Sequence, residues 1–338
     1  MRTIYAFLLM IWFPLIAGAN VPDIEQIDQA LAEEQFTRVV ELLTPQVKAL
    51  SENADMLRRL ARAHWSLEQF DEAQDYIDTV LELRQDQYED YYLAGRIYSN
   101  RVLEVSIFKK LSYAKRIRKY FERCIELDPQ SSKARLALML FHINAPGIAG
   151  GSSDKAEALA QQLAEIGEVE GLRAAILLAL ADDDDAKAME LTGKILTLKS
   201  DDVSAQYLRG TFLVGEERYD EAMPILRHVG HQEIEDIDER RQQRGAWYQI
   251  GKAASESGQW LDEGRAILER YLTLSSHRGL PSKAWAYYRL SLIHDGLNDL
   301  AKAKEYLALA DDENDGDDDE LDDLLDDRKK ELKRRNAS

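Results

Sequence analysis

Two stretches decide the fold: WYQIGKAA at residues 247–254 and YDEAMPIL at residues 219–226. In each, apolar and small residues recur at intervals of three or four, which is the spacing of one face of an α-helix. Related stretches recur about every 34 residues, a period typical of repeated antiparallel helix pairs. No alternating pattern of the kind that predicts strands runs long enough to compete. The sequence therefore predicts an all-α protein.

Small residues at fixed positions of these helices predict close contact within each pair. In the first helix this position holds Gly95, Gly210 and Gly251. In the second helix the matching position holds Ala73, Ala156, Ala188, Ala222 and Ala303. Large residues one turn further on are expected to fill the gap to the next pair, namely Ile77, Phe121, Leu226, Ile267 and Leu307. Glu263 stands at a small position, which predicts looser packing of its pair.

This pattern resembles the tetratricopeptide-repeat (TPR) family over roughly residues 23–310. Units start near residues 54, 88, 131, 169, 203, 244 and 284, after a degenerate unit at about 23–50. The resemblance implies a right-handed α-solenoid of about seven to eight helix-turn-helix units, which binds other proteins and is not an enzyme. About ten extra residues before Phe121 and about six before Ala156 predict longer helices or loops in those two units.

In this family the first helix of each unit lines a concave groove, and the resemblance assigns one position per helix to that groove. In this sequence the position holds Arg58, Tyr92, Arg135, Arg173, Tyr207, Tyr248 and Tyr288. The next exposed turn adds Arg62, Arg96, Asn100 and Lys252. An Arg-lined half and a Tyr-lined half suit a protein or peptide partner that is acidic. The alternative is that these arginines pair with acidic residues of neighbouring units.

A second candidate surface is the basic segment between Phe108 and Arg123. It carries Lys109, Lys110, Lys115, Arg116, Arg118 and Lys119. Its apolar residues form one helical stripe, which consists of Ile107, Leu111, Ala114, Ile117, Phe121 and Ile125. We therefore expect the basic side chains on the opposite face of the helix. This basic patch is either a solvated face or a docking surface for an acidic partner.

The first 19 residues have the composition of a cleaved signal peptide. Residues 4–16 are almost wholly apolar, follow Arg2, and lead into Ala17-Gly18-Ala19, a pattern that signal peptidase recognises. This run of about 13 residues is shorter than the roughly 20 that span a bilayer, so we expect cleavage and no stable membrane insertion. Only Cys124 remains after it, so an intramolecular disulfide is excluded. We expect a periplasmic protein, with secretion as the alternative.

Charged residues dominate beyond the solenoid, which we expect over residues 20–310. Residues 311–327 contain twelve Asp or Glu, and residues 328–335 contain six Lys or Arg against one Glu. Like-charge blocks repel themselves, so the sequence predicts a disordered acidic then basic tail over residues 311–338. One spacing resembles a calcium-binding loop, with candidate ligands Asp311, Glu313, Asp315, Asp317, Asp319 and Asp322. The acidic tract is also a candidate to cover the basic groove.

The net charge of −19 disfavours nucleic acid and anionic membrane surfaces as general partners. The six His residues lack the spacing of a metal site, no catalytic constellation is present in the sequence, and no cofactor is expected. The sequence therefore favours a periplasmic scaffold or adaptor that holds a segment of a partner protein in its Arg/Tyr-lined groove. The alternative function is that of a small-molecule or divalent-cation-binding accessory protein of an envelope transport system.

Overall fold

The computed structural model describes residues 23–234, 236–274, 279–314 and 318–336. Within these residues the chain is helical, with turns between the helices, and contains no β-strand. The all-α expectation is therefore confirmed. The predicted signal peptide at residues 1–19 lies outside the described part of the chain.

Eight antiparallel helix pairs, numbered units 1 to 8 in chain order, follow one another in the described residues. Units 1 to 4 are α1 (Ile24–Ala32) with α2 (Phe36–Leu43), α3 (Ala54–Ser66) with α4 (Phe70–Leu83), α5 (Tyr88–Glu104) with α6 (Ile107–Leu127), and α7 (Ser132–Asn144) with α8 (Ser153–Ile166). Units 5 to 8 are α9 (Glu168–Ala181) with α10 (Asp185–Leu198), α11 (Val203–Gly215) with α12 (Tyr219–His231), α13 (Ile237–Ser257) with α14 (Leu261–Leu272), and α15 (Lys283–Gly296) with α16 (Leu300–Asn314). Each unit packs mainly on its neighbours, as in a solenoid.

Polar side chains start several of these helices at the predicted unit boundaries. Asn53, Ser131 and Asp202 each accept a hydrogen bond from the backbone N–H three residues further on. Such caps satisfy one of the backbone donors that a helix N-terminus leaves unpaired. The repeat period is therefore set locally as well as by packing.

The small and large positions pack together as the sequence predicts. A Cβ atom added to Gly95 would lie 2.5 Å from the ring of Phe121, and one added to Gly210 would lie 2.5 Å from Leu226. Both distances are far below van der Waals contact, so only glycine allows the two helices of each unit to approach this closely. Ala73, at the small position of α4, is fully buried.

Unit 7 differs from the expectation that Glu263 occupies a small position. In other units a single left-handed residue precedes the second helix by two positions, as Glu217 does with φ 58°. Unit 7 has one more residue between its two small positions, Gly251 and Gly264, than unit 6 has between Gly210 and Ala222, and its turn has positive φ at both Gly258 and Trp260. The extra residue moves Gly264 into the small position against Ala254, and Glu263 instead accepts hydrogen bonds from Arg227 at 2.6 and 2.8 Å. The prediction of loose packing was wrong because one extra residue between Gly251 and Gly264 shifts the register.

The two predicted insertions have different structures. In unit 3 the extra residues lengthen the helices, since α5 has 17 residues and α6 has 21, against 13 and 14 in unit 2. In unit 4 they form the loop between α7 and α8, which contains a short 3-10 turn at Gly147–Ala149. Ser152 caps α8 from the end of this loop.

Residues 319–336 form a final helix, α17 (Asp319–Asn336), which corrects the expectation of a disordered tail. Leu321, Leu325 and Leu332 are buried, and Arg328 donates to Asp295 of α15 at 2.7 Å. Leu321, Leu325 and Leu332 recur at helical spacing among many charged residues, and Arg328 lies on the same face of the helix. The acidic half lies at the helix N-terminus and the basic half at its C-terminus, which is the favourable arrangement in the helix dipole. The helix covers the exposed end of unit 8 and so acts as a cap of the solenoid.

Candidate functional site

The first helices of the units line the concave side of the solenoid. Across unit boundaries α3 contacts α5, α7 contacts α9, α11 contacts α13, and α13 contacts α15. Second helices of consecutive units make no comparable contact within the described ranges. Elements on the inside of a curve lie closer together than those on the outside, so the first helices form the concave surface. We call the surface formed by the first helices α3 to α15 the inner face.

The start of α13 reaches back to units 1 and 4. Arg240 donates through Nη1 to a backbone carbonyl at the end of α1 (2.7 Å) and to the carboxylate of Glu34 (3.2 Å). Arg244 pairs with the same carboxylate, and Lys133 of α7 donates to Asp236 at 3.1 Å. The solenoid is therefore bridged between its first unit and its seventh.

Arg62 lies among the charged groups of this bridge. Burial lowers the pKa of Arg62, and the positive charges of Arg58, Arg240 and Arg96 lower it further, while Glu34 acts in the opposite direction. No described residue forms a hydrogen bond or an ion pair with the Arg62 guanidinium. An arginine keeps its proton at neutral pH despite such a shift. The inner face therefore carries an uncompensated positive charge at this point. We call Arg58, Arg62, Arg96 and Arg240 the arginine cluster.

Arg58 already has acidic neighbours, as the alternative interpretation expects. Its Nε atom lies 3.6 Å from Asp90, a carboxylate that is 1% exposed. Asp90 also accepts two hydrogen bonds from Arg84, at 2.6 and 3.0 Å. This network joins unit 2 to unit 3, so Arg58 contributes to packing between units as well as to the charge of the inner face.

Arg96, a member of the cluster, stacks on aromatic rings. Its guanidinium carbon is 4.6 Å from the ring centroid of Trp65 and 5.8 Å from that of Tyr92. Trp65 donates through Nε1 to the side-chain oxygen of Asn100 at 2.9 Å, which fixes the indole ring. The predicted groove residues Arg58, Arg62, Tyr92, Arg96 and Asn100 thus lie together on α3 and α5.

Arg135 and Arg173, in contrast, are engaged in local contacts. Arg135 is buried and donates to the carbonyls of Pro129 and Ser131 at 2.7 and 3.1 Å. Arg173 pairs with Asp202 at 2.5 Å across the boundary of units 5 and 6, and Asp202 is 1% exposed. For Arg135 and Arg173 the alternative interpretation therefore applies: their side chains bond to groups of their own or a neighbouring unit.

The tyrosine half of the predicted groove is mostly packed inside the solenoid. Tyr248 and Tyr288 are buried, and burial raises the pKa of each. The ring of Tyr248 contacts that of Tyr271, with centroids 5.7 Å apart. Tyr207 and Lys252 are half-buried. Tyr248 and Tyr288 therefore offer no open surface, in contrast to the expectation, because large side chains at these positions fill the contact between units.

Sequence reasoning missed Glu34, Arg240 and Arg244. The signal available was the long interval between the end of α12 and the predicted unit start near residue 244. In the structure this interval forms the first two turns of α13, and those turns carry both arginines. Their contact with Glu34 depends on the pitch of the whole solenoid, which no local pattern reports.

The basic patch lies on α6, but its apolar stripe is only partly buried. Ala114 and Ile117 are buried, as expected, whereas Ile107 is 70% exposed and Leu111 also faces solvent. The reason is the length of α6, whose first turns extend past the start of α4, the second helix of the preceding unit. Among the basic residues, Arg116 donates to the Tyr98 hydroxyl at 2.7 Å and Arg118 lies 3.4 Å from Glu122. The remaining patch residues are Lys109, Lys110, Lys115 and Lys119.

The calcium-loop candidate does not form a loop in the described residues. Asp311 and Glu313 belong to α16, and Asp319 and Asp322 belong to α17, while Asp315 and Asp317 lie outside the described residues. Asp311 pairs with Lys329 at 2.6 Å, and Asp322 accepts a hydrogen bond from Asn314 at 2.8 Å. Across the described ranges no group of three His, Cys, Asp or Glu residues could hold a metal ion.

Comparison with known proteins identifies repeats of a known family in the chain. Two family models, each described as a tetratricopeptide repeat, match residues 30–96 and residues 286–315. The solved structure of yeast Tom70 is similar, with 15% identity and a TM-score of 0.58, over 96% of this chain and 68% of that one. A tetratricopeptide repeat protein from Parabacteroides merdae is similar with 12% identity and a TM-score of 0.50, over 80% of this chain and 96% of that one.

Among curated proteins, no sequence matches this chain. At such low identities the solved structures show the fold alone. The two family matches lie near opposite ends of the solenoid, and helix pairs of the same kind connect them. The chain therefore contains tetratricopeptide repeats at residues 30–96 and 286–315, within an all-helical repeat solenoid. Proteins built from such repeats are generally scaffolds for protein–protein interaction and not enzymes.

Proposed function

We propose that this protein is an exported scaffold, and that the inner face of units 2 and 3 binds an acidic segment of a partner protein through Arg62. The observation that carries the proposal is the Arg62 guanidinium, which lies among Arg58, Arg96 and Arg240. It forms no hydrogen bond or ion pair with a described residue. A carboxylate supplied by a partner is the group that would compensate this charge.

The chemistry of the arginine cluster favours a carboxylate over other acceptors. A guanidinium presents its N–H donors in a planar fork that matches both oxygens of a carboxylate. The chain itself supplies an example, since the Glu34 carboxylate is held by Arg240 and Arg244 at the edge of the cluster. Glu34 forms its ion pairs with Arg240 and Arg244 and none with Arg62, so Arg62 remains available to a second carboxylate.

The surface beside the cluster suits an apolar or aromatic neighbour of that carboxylate. Tyr92 and Arg96 are half-exposed there, and the guanidinium of Arg96 stacks on the buried ring of Trp65. Aromatic rings such as that of Tyr92 give large contact areas with few rotatable bonds. We therefore propose that the bound segment combines acidic residues with an aromatic or aliphatic side chain.

Export is a further part of the proposal, and the composition of residues 1–19 supports it. A bacterial periplasm fits a chain whose only cysteine, Cys124, is buried and free. Mature protein recovered from cells should begin at or near Asn20. Membrane-bound protein with an intact Met1 would contradict export.

Site-specific photo-cross-linking in the native cell tests the proposed inner-face binding. A photo-reactive phenylalanine in place of Tyr92 should give a cross-linked product with a partner protein. The same group in place of Thr197, which is exposed on the second helix α10, is the matched control and should give none. Adding Arg62→Gln to the Tyr92 variant should remove the product. A product that persists with Arg62→Gln contradicts the role proposed for Arg62.

A further inference from the structure

We infer that the tip of the α5–α6 hairpin binds the surface of an anionic lipid bilayer. The tip consists of the end of α5 and the first turn of α6. Phe108 is 91% exposed, and Leu103, Ile107 and Leu111 beside it are exposed as well. Such a group of large apolar side chains on a protein surface marks an interaction site.

The geometry of the hairpin makes this tip convex. Phe121 of α6 occupies the position that Ile77 occupies in α4, so Ala114 corresponds to Phe70, where α4 begins. The seven residues from Ile107 to Tyr113 therefore extend past the start of the neighbouring second helix by roughly 10 Å, at 1.5 Å per residue. The base of the extension is fixed, since Tyr113 donates to Gln74 of α4 at 2.7 Å.

Unpaired positive charge surrounds the apolar tip. Residues 107–120 contain six basic residues and no acidic residue, in a chain with a net charge of −19. No described residue forms an ion pair with Lys109, Lys110 or Lys115. A negatively charged surface attracts this end and repels the remainder of the chain, so electrostatics alone orients the protein with the hairpin tip towards the membrane.

A second exposed apolar side chain lies on the same edge of the solenoid. The loop between α7 and α8 joins a first helix to a second helix, as the α5–α6 turn does, so both lie at the same edge. Its 3-10 turn at Gly147–Ala149 contacts α6 and carries Ile148, which is 84% exposed. Two adjacent units therefore present apolar side chains in the same direction.

A lipid surface fits these features better than a protein groove does. A fluid interface accepts a convex apolar tip without a complementary shape, and long lysine side chains reach the headgroups while the apolar residues enter the acyl boundary. No helix among the described residues is long and apolar enough to cross a membrane. The binding we propose is therefore peripheral and reversible.

A fluorescent reporter at the tip tests the proposal in the full-length chain. The native Cys124 thiol is buried, and burial raises its pKa to about 12, so a new cysteine at the tip is labelled selectively. An environment-sensitive dye on Phe108→Cys should shift to shorter wavelength with vesicles of phosphatidylglycerol and phosphatidylethanolamine. Pure phosphatidylcholine vesicles should leave it unchanged. The same dye on Leu198→Cys, an exposed position on α10, is the matched control and should not shift.

Substitutions then separate the apolar and the charged contributions. The double variant Lys109→Gln, Lys110→Gln should weaken partitioning to the anionic vesicles roughly twenty-fold. Each lysine near a charged surface contributes about five-fold, and the two effects multiply. In co-sedimentation of the unlabelled protein with the same vesicles, Phe108→Ser should weaken partitioning roughly ten-fold, while Lys48→Glu, at an exposed position on the first unit, should not. An unshifted dye, or partitioning that these changes leave intact, overturns the proposal. Loss of a protein partner by the tip variants without any vesicle binding also overturns it, in favour of a protein docking site.

Discussion

Glu34 and Arg240 form an ion pair across 206 positions of the chain, with Nη1 of Arg240 3.2 Å from the carboxylate. Glu34 lies in the turn between α1 and α2 with φ 57°, and Arg240 lies in the lengthened start of α13. In a simple solenoid each unit contacts only its neighbours. Here the bridge couples unit 1 to unit 7 and holds the arginine cluster of the inner face at a fixed spacing.

Removing the charge of Glu34 should open this bridge. We expect Glu34→Gln to increase the maximum dimension of the protein in small-angle X-ray scattering and to lower the free energy of unfolding by about 2 kcal/mol, the magnitude of a charge-assisted hydrogen bond. Glu217→Gln is the matched control, since Glu217 occupies the same left-handed turn position in unit 6 with φ 58°. Identical scattering from the two variants contradicts a bridge that holds the solenoid closed.

The C-terminal helix should stabilise the whole chain. Leu325 is 1% exposed between α17 and unit 8, so Leu325→Ala should lower the free energy of unfolding by about 3 kcal/mol, as buried leucines do. Leu309→Ala, at an exposed position of α16, should cost well under 1 kcal/mol. Urea titration of both variants measures the difference. Equal stability of the two variants would mean that α17 does not pack on unit 8 in solution.

The helix pairs were predictable because their determinants are local. The small residue Gly95 and the large residue Phe121 meet as their spacing predicts. The same logic was wrong at Glu263, since one extra residue between Gly251 and Gly264 shifts the register, and a single inserted residue is a weak signal in sequence. It was also wrong for residues 319–336, where the many charges hide the spacing of Leu321, Leu325 and Leu332.

Gly251 should be intolerant of even a single methyl group. A Cβ atom there would meet the side chain of Leu268 well inside van der Waals contact. We expect Gly251→Ala to lower the free energy of unfolding by about 1–3 kcal/mol through overpacking, despite the better helix propensity of alanine. Gly215→Ala is the control, because a Cβ at Gly215 would meet no atom within 4 Å. Stabilisation by both changes, measured by thermal unfolding, would disprove the close approach of α13 and α14.

The buried thiol of Cys124 should make the free energy of unfolding decrease at alkaline pH. Burial raises the pKa of Cys124 from 9.0 to about 12, so the folded state disfavours the thiolate that the unfolded chain forms. This contribution to stability is complete below pH 9 and is lost as the pH rises from 9 towards 12, by about 1.4 kcal/mol per pH unit. Urea titrations at pH 8 and pH 10 should therefore show a smaller loss for Cys124→Ala than for the unmodified chain. An equal loss in both contradicts the assignment.

The candidate site was predictable only in part, for a related physical reason. Arg58, Arg62 and Arg96 lie on α3 and α5, and the helical period of those two elements brings them to one face. Arg240 and Glu34 join them only through the pitch that accumulates over seven units. Burial likewise removed Tyr248 and Tyr288 from the surface, since a large side chain suits either a groove or a core contact.

Calorimetric titration of an acidic, aromatic-containing peptide tests the central claim most directly. At low ionic strength the unmodified protein should bind the peptide, and Arg62→Gln should weaken binding by about ten-fold or more, the equivalent of one charge-assisted hydrogen bond. Arg38→Gln, which removes the same charge from the exposed surface of α2, should leave the affinity within about two-fold. Equal affinities for the Arg62→Gln and Arg38→Gln variants would contradict the account, because the peptide would then be responding to net charge and not to the inner face.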